Sequence, residues 1–271
     1  MSHKKSLQTD KERLRWLNNH LAYKMLDEID KKCLEDIKQA KLLENRSNAT
    51  VNRHLAIISS ILHKAKNEWE WIDSVPVIKK LREPDIRIRW LTHEEADILL
   101  AELPDHSCAM AGFTLATGLR ESNVTGLRWD QFDMQRRCAW IHADQAKSGK
   151  SIAVPLNDDA YKIIKAQIGQ HLTHVFTYDG HPVIRANNHA WKKALKRAGI
   201  ENCRWHDLRH TWASRHIQNR TPLHMLKELG GWSDLSMVLR YAHLSSKHLH
   251  EYAGNLSVRV FETNLLHRQN S

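Results

Sequence analysis

The residues best suited to chemistry lie in the ten-residue stretch WHDLRHTWAS, Trp205 to Ser214, which holds two histidines, an aspartate, an arginine and two tryptophans. At 100° per residue, a helix here places Trp205, Leu208 and Trp212 in one stripe and His206, Arg209 and His210 in the next. The first stripe reads as core and the second as a site. His206 and Arg209 stand one turn apart and can share a ligand. Upstream, in ATGLRESNVTGL, Gly118 ends one helix and Arg120 begins the next segment, where a guanidinium can meet an oxyanion beside free backbone N–H groups. The loop DQAKSGK offers Lys147, Ser148, Gly149 and Lys150. In LGGWSDLSMVLRYAHL, Ser233 or Asp234 is expected to cap a helix carrying Tyr241 about two turns in, with Trp232 just before it. Taken singly, each of these has an ordinary structural reading: a solvated arginine, a basic turn, a packed aromatic.

Together they amount to two guanidiniums, an ammonium, an imidazole, an indole N–H and a phenol. That inventory suits attack on a phosphodiester without a metal. Arg120 and Arg209 can hold the non-bridging oxygens, His206 can manage the proton of the phenol, Lys147 can protonate a departing alkoxide, and Tyr241 can be the covalent nucleophile. The chain as a whole agrees. It has 271 residues and a net charge of +10, with a pI near 9.5, so a polyanion is the expected partner. Cys33, Cys108, Cys138 and Cys203 are scattered without a C-x-x-C pair, which fits a reduced cytoplasmic chain. No apolar run approaches a membrane span, and MSHKKSLQTD is not a signal peptide.

Two units must position these residues. In NATVNRHLAIISSILHKAKNEWEW, the residues Val51, Leu55, Ile58, Leu62, Ala65 and Trp69 recur at helical spacing, and Asn52, Arg53, His54, Lys64 and Lys66 occupy the other faces. These five, with Lys150, are the candidate DNA contacts. KERLRWLNNHLAYKML and CLEDIKQAKLLE read as shorter helices, so residues 1–82 form a small helical bundle. Residues 1–89 hold 19 Lys and Arg against 13 Asp and Glu, so this unit carries much of the surplus charge. REPDIRIRW reads as an extended linker, residues 83–90, and Thr92 with Glu95 as a capping box that opens the second unit, residues 91–255. That unit is mostly helical. CAWIHA and SIAVPL form a hairpin around the Lys147 loop, and HVFTY adds a strand. The fold class is therefore mainly α with a small β-sheet. A tail, residues 256–271, contains LSVRVFE, and Leu256 to Glu262 is expected to add to a sheet edge.

In order, GLRESN, the lysine of AKSGKSIAVPL, HDLRH, LGGWSDLSMVLRYAHL and the tyrosine nine residues after the tryptophan resemble the phage-integrase, or tyrosine recombinase, family. The resemblance spans residues 48–250. It implies a helical core-binding domain and a catalytic domain that close on DNA as a C-shaped clamp. It further implies a homotetramer on double-stranded DNA, and strand exchange through a 3′-phosphotyrosine for integration or excision of a phage or mobile element. No cofactor or membrane is implied; an excisionase or host bending protein would be an accessory partner. By the motif, Arg120 and Arg209 clamp phosphate, Lys147 is the acid for the 5′-hydroxyl, His206 is the acid/base and Tyr241 the nucleophile. Trp232 stands where many members have histidine, as donor and packing prop. Many members begin with a separate amino-terminal arm-binding domain; here the bundle starts almost at once, so the expectation is a short or truncated member without that domain. Three rivals compete: an HD-type metal phosphohydrolase built on His206, Asp207 and His210, a non-catalytic basic DNA-binding protein, and a type IB topoisomerase-like strand transferase.

Overall fold

The computed structural model describes residues 7–84, 88–146 and 149–242. Lys147, Ser148 and the proposed tail strand, Leu256 to Glu262, lie outside the described residues. The chain divides into two compact units, Met1–Ile86 and Arg87–Ser271.

In the first unit, α1 (Leu7–Leu21), α2 (Lys31–Leu43) and α3 (Asn48–Asn67) pack around Leu17, Leu34, Ile37, Val51, Leu55, Ile58 and Leu62. Asp30 caps α2 by accepting from Cys33 N at 2.8 Å, and Ser47 caps α3. The apolar stripe of α3 is buried as its spacing requires, except at Trp69. The helix stops at Asn67, Glu70 takes a positive φ of 55°, and the Trp69 ring turns out to lie 4.8 Å from that of Trp71. The following segment folds back over the bundle, where Ile72, Val75, Ile78 and Leu81 pack on its core. Asn52 fastens that segment: its amide donates to Leu81 O at 2.9 Å and its carbonyl accepts from Leu81 N at 2.8 Å.

In the second unit, α4 (His93–Glu102) opens with the expected reciprocal box between Thr92 and Glu95. Next, α5 (Asp105–Thr117) packs on α7 (Asp158–Gln167) and α9 (Trp205–Gln218). Between α5 and α7 lie the short α6 (Glu121–Thr125) and a three-stranded antiparallel sheet in the order β1 (Phe132–Asp133), β2 (Cys138–Ile141), β3 (Ile152–Pro155). The hairpin β2–β3 is the one expected, in the register Ala139 to Val154 and Ile141 to Ile152; β1 is a further strand. The HVFTY strand is only β4 (Thr177–Tyr178), paired with β5 (His181–Pro182). The described residues of the unit also hold α8 (His189–Arg197), α10 (Leu223–Leu229) and a single turn, α11 (Ser236–Leu239). The core centres on Phe113, Phe176, Trp191, Trp205 and Leu208, with the Trp191 and Trp205 rings 4.8 Å apart. The four cysteines are unpaired. Among the described residues no helix is long and apolar enough to cross a membrane.

The join between α5 and α6 decides where Arg120 stands. Gly118 ends α5 at φ 66°, its N–H bonded to Thr114 O, and a Cβ there would overlap the Trp212 ring. Gly149 has nearly the same φ, 67°, with open space around it. Gly149→Ala should therefore cost about 1 kcal/mol, from left-handed backbone alone, and Gly118→Ala about 3 kcal/mol, because overlap is added. Urea unfolding measures both; equal losses would show that the Trp212 contact carries no weight.

Candidate active site

Helix α9 is built to bury an arginine. Arg204 precedes it, and Asp207 reaches back to accept from Arg204 N at 2.8 Å while its other oxygen faces the Arg204 guanidinium at 3.5 Å. Trp205 and Leu208 anchor one face in the core, as their spacing predicts. On the adjoining face Arg209 is only 3% exposed. One terminal nitrogen of Arg209 donates to Gly118 O, the other to Gly230 O at 2.6 Å, and the guanidinium lies 4.2 Å from the Trp232 ring centre. Among the described residues its partners are two carbonyls and an indole, none of them a carboxylate. Burial, then the charge of Arg120, lowers its pKa to about 9, so it stays cationic at neutral pH. Arg120, the residue before α6, is half-buried, and loss of hydration lowers its pKa too. Two guanidiniums that repel each other, with no carboxylate bonded to either among the described residues, make a place that attracts an anion.

Trp232 is held in that place by the glycines before it. Gly231 takes φ 59°, and a Cβ on it would overlap Ile152 of β3; a Cβ on Gly230 would overlap Trp232 itself. The Gly-Gly pair therefore lets Gly230 O reach Arg209 and lets the indole slide beneath it. Trp232 also faces Trp212, with ring centres 6.0 Å apart. Its contact with Arg209 is through the ring face.

Tyr241 differs from its expected setting. Helix α11 ends at Leu239, and Tyr241 follows it in a turn, its N–H bonded to Val238 O at 2.9 Å. The four residues Ser236–Leu239 are too few to carry it two turns into a helix. Tyr241 is 2% exposed, its ring centre 6.0 Å from that of Trp232. Its hydroxyl lies 2.6 Å from His210 Nδ1. His206, the expected partner of the phenol, instead stands at the exposed rim, its ring edge-on to His210 at 4.8 Å. Burial raises the Tyr241 pKa, against the pull of Arg209 and Arg240. Loss of hydration and the charges of Arg209 and Arg120 lower that of His206, with Asp207 opposing.

Two supports were not visible as site residues. Glu121 Oε1 accepts from Ala186 N and Asn187 N, both at 2.8 Å, and so ties the start of α6 to the loop that leads into α8. Asn123 donates to Gln145 O at 3.2 Å, at the base of the loop that continues to Lys147. A carboxylate in the first turn of a helix reads from sequence as a dipole contact, and nothing local marks its distant partner. Lys150 is exposed at the mouth of a cleft of ≈ 540 Å³ between β3 and α10, which Trp232 also lines.

Of the other candidate DNA contacts, Arg53 and Lys66 are exposed, and Lys64 pairs with Glu68 at 3.0 Å. Asn52 and His54 are corrected. Asn52 is 5% exposed and spent on Leu81 and Glu83; His54 is 4% exposed, bonded to Thr50 O and edge-on to Trp16. They serve the fold of the first unit. Nor does the His206–Asp207 pair share a ligand position, since Asp207 is wholly buried and turned to its own helix start.

The model of the phage integrase family matches residues 89–248. The chain belongs to this family. Its curated relatives include the integrase of Salmonella phage P22, 39% identical over 99% of this chain and 80% of that one. Another is the integrase of Escherichia phage 186, 26% identical over 87% and 68%. Among solved structures, the phage integrase fold here matches the Tn1549 transposon integrase in complex with transposon right end DNA, with a TM-score of 0.73 at 16% identity over 88% and 89% of the two chains. It also matches a lambda integrase dimer bound to a core site, with a TM-score of 0.72 at 16% identity over 88% of each. This phage integrase family member is a tyrosine site-specific recombinase, and the phosphohydrolase, topoisomerase and non-catalytic readings are not favoured.

The neutral histidines of the site make its stability depend on pH. The His210 imidazole has a pKa of about 4 when folded, against an ordinary value of 6.5, chiefly because it is buried and then because of His206. Between those values the unfolded chain binds the proton and the folded chain does not. Stability from this group is therefore complete above about pH 6.5 and lost as pH falls toward about 4. The melting temperature should drop across that window, and less steeply in His210→Asn. Identical slopes would mean that His210 is no more shielded folded than unfolded.

Proposed function

We propose that this recombinase binds double-stranded DNA and seats the scissile phosphate between Arg120 and Arg209. Tyr241 attacks phosphorus, forming a 3′-phosphotyrosine and releasing a 5′-hydroxyl. The observation that carries this reading is the buried Arg209, bonded to carbonyls rather than to a carboxylate and packed on the Trp232–Tyr241 cluster. Each guanidinium supplies parallel donors to a non-bridging oxygen, and the attraction grows as the pentavalent state gains charge. His206, exposed on α9 one turn from Arg209, adds a hydrogen bond to the same phosphate. Lys147 is assigned the proton for the leaving 5′-oxygen on the resemblance. In the first unit, Arg53 and Lys66 contact the DNA backbone, with Lys64 beside them, and Lys150 does so from the second.

The same reading makes residues 1–82 the core-binding domain, residues 91–255 the catalytic domain and the two together a clamp on the duplex. Four copies assemble on paired sites in the bacterial cytoplasm, the residue 256–271 tail links neighbours, and an excisionase or host bending protein sets direction. The use is integration or excision of a phage or mobile element.

A nicked or suicide duplex carrying the recombination site tests this directly. Tyr241→Phe should bind DNA normally and form no covalent complex. Arg120→Ala and Arg209→Ala should each slow attachment on the order of a hundredfold to a thousandfold, and lysine should restore little, because an ammonium has no planar fork. A Tyr241→Phe protein that still becomes DNA-linked, or alanine variants that cleave at the normal rate, would remove the assignment. Attachment should also persist in EDTA; complete loss, restored by one divalent metal, would replace the arginine clamp with a metal site.

A further inference from the structure

Attack by a phenol requires that its proton go somewhere, and among the described residues one side chain is bonded to the Tyr241 hydroxyl. That side chain is His210, on the turn of α9 beside Arg209, with Nδ1 2.6 Å from the phenolic oxygen. We propose that His210 is a further catalytic residue: it takes the proton of Tyr241 as the tyrosine attacks phosphorus and returns it when the strand is rejoined.

The geometry fixes the direction of the bond. A protonated phenol has one O–H to give, so Nδ1 accepts and the ring proton of neutral His210 sits on Nε2. The O–H is thereby drawn toward α9, which leaves the oxygen lone pairs free for phosphorus. The alternatives are worse placed. His206 touches the edge of His210 rather than the phenol, Asp207 is turned to Arg204, and Arg209 and Arg240 are cations.

Charge explains the timing. The groups that act on His210 are His206, Asp207 and Arg204 from its own helix and the residue before it, and Arg240 from the segment carrying Tyr241. Before a phosphate enters, the imidazole, at about 4, does not take a proton from a phenol above its ordinary 10. The tyrosine is stored neutral. As the O–P bond forms, the attacking oxygen loses electron density and its proton becomes strongly acidic, while the growing negative charge on the phosphoryl oxygens favours an imidazolium beside them. The O–H bond then breaks and Nδ1–H forms. The P–O5′ bond breaks, and the departing oxygen takes its proton from a different acid, Lys147 in the reading above. In rejoining, the phenol leaves and recovers its proton from Nδ1.

The inference rests on Tyr241 being the nucleophile, and the experiment separates the two. Single-turnover attachment to a suicide duplex is measured for the full chain, His210→Asn and His210→Gln, with DNA affinity and melting temperature alongside. Asparagine keeps an acceptor near the Nδ1 position but is not basic. Both variants should bind DNA as the parent does and attach on the order of a hundredfold to ten-thousandfold more slowly. A duplex with sulfur in the 5′-bridging position, whose thiolate leaves without an acid, should not restore them. Attachment by His210→Asn within about threefold of the parent would overturn the proposal, since an acceptor without basicity would suffice. Restoration by the bridging sulfur would move His210 to the leaving group. Parallel loss of affinity, melting temperature and attachment in both variants would make it structural. If Tyr241→Phe still became DNA-linked, the nucleophile itself would be wrong, whatever the His210 variants did.

Discussion

A guanidinium held at 3% exposure without a carboxylate partner among the described residues is the constraint around which the second unit is arranged. Taking such a charge out of water costs several kcal/mol. Two hydrogen bonds from a charged donor contribute about 1.5–3 kcal/mol each, and a desolvated contact with an indole face about 2 kcal/mol. The two sides nearly balance. The fold therefore tolerates Arg209, and the attraction left over is available to whatever anion enters. Each of the three partners comes from a different place: Gly118 from the end of α5, Gly230 from the end of α10, Trp232 from the turn beyond. All three positions depend on backbone that a side chain would spoil, at Gly118, Gly230 and Gly231.

The carboxylate nearest in sequence shows the same constraint from the other side. Asp207 is two residues from Arg209, and on the same face it would neutralise the guanidinium. The helical period instead turns it toward Arg204, where it caps α9 and stays wholly buried. Glu121, next to Arg120, is likewise spent on two backbone N–H groups of the loop before α8. With both acids engaged in holding the frame, neither arginine is paired with a carboxylate among the described residues. The histidines respond to that field: the pKa of His206 and that of His210 are both lowered, by loss of hydration first and by neighbouring groups second.

Much of this was legible because it is local. The period of Trp205, Leu208 and Trp212, the stop at Gly118, the Thr92–Glu95 box and the β2–β3 hairpin each follow from residues within a few positions of one another. What escaped the sequence depends on partners far along the chain. Asn52 and His54 sit on a helix face that looks solvated until the segment ending near Leu81 folds back and Trp16 closes over it. The bond between His210 and Tyr241 joins residues 31 apart, and no spacing rule distinguishes it from a bond made by His206. Trp69 and Tyr241 were each placed inside a helix, and both stand just past its end, where periodicity no longer constrains direction.

One further connection limits how α9 can move. Thr211, the residue after His210, donates to Asp207 O at 2.8 Å and accepts from Leu91 N at 2.9 Å. Its hydroxyl thus belongs at once to the helix and to the segment that opens the second unit. Three residues earlier in that segment, Ile88 packs against the cluster of Trp212, Trp232 and Tyr241. Arg89 between them is pinned to Glu95 by two hydrogen bonds, at 3.1 and 2.6 Å. Any displacement of α9 relative to residues 88–91 must break a buried hydrogen bond or open an apolar contact, each costing about 1 kcal/mol or more. Arg209, the histidine bonded to the tyrosine and the opening segment of the unit are therefore mechanically one piece, and a group that shifts one of them must work against the other two.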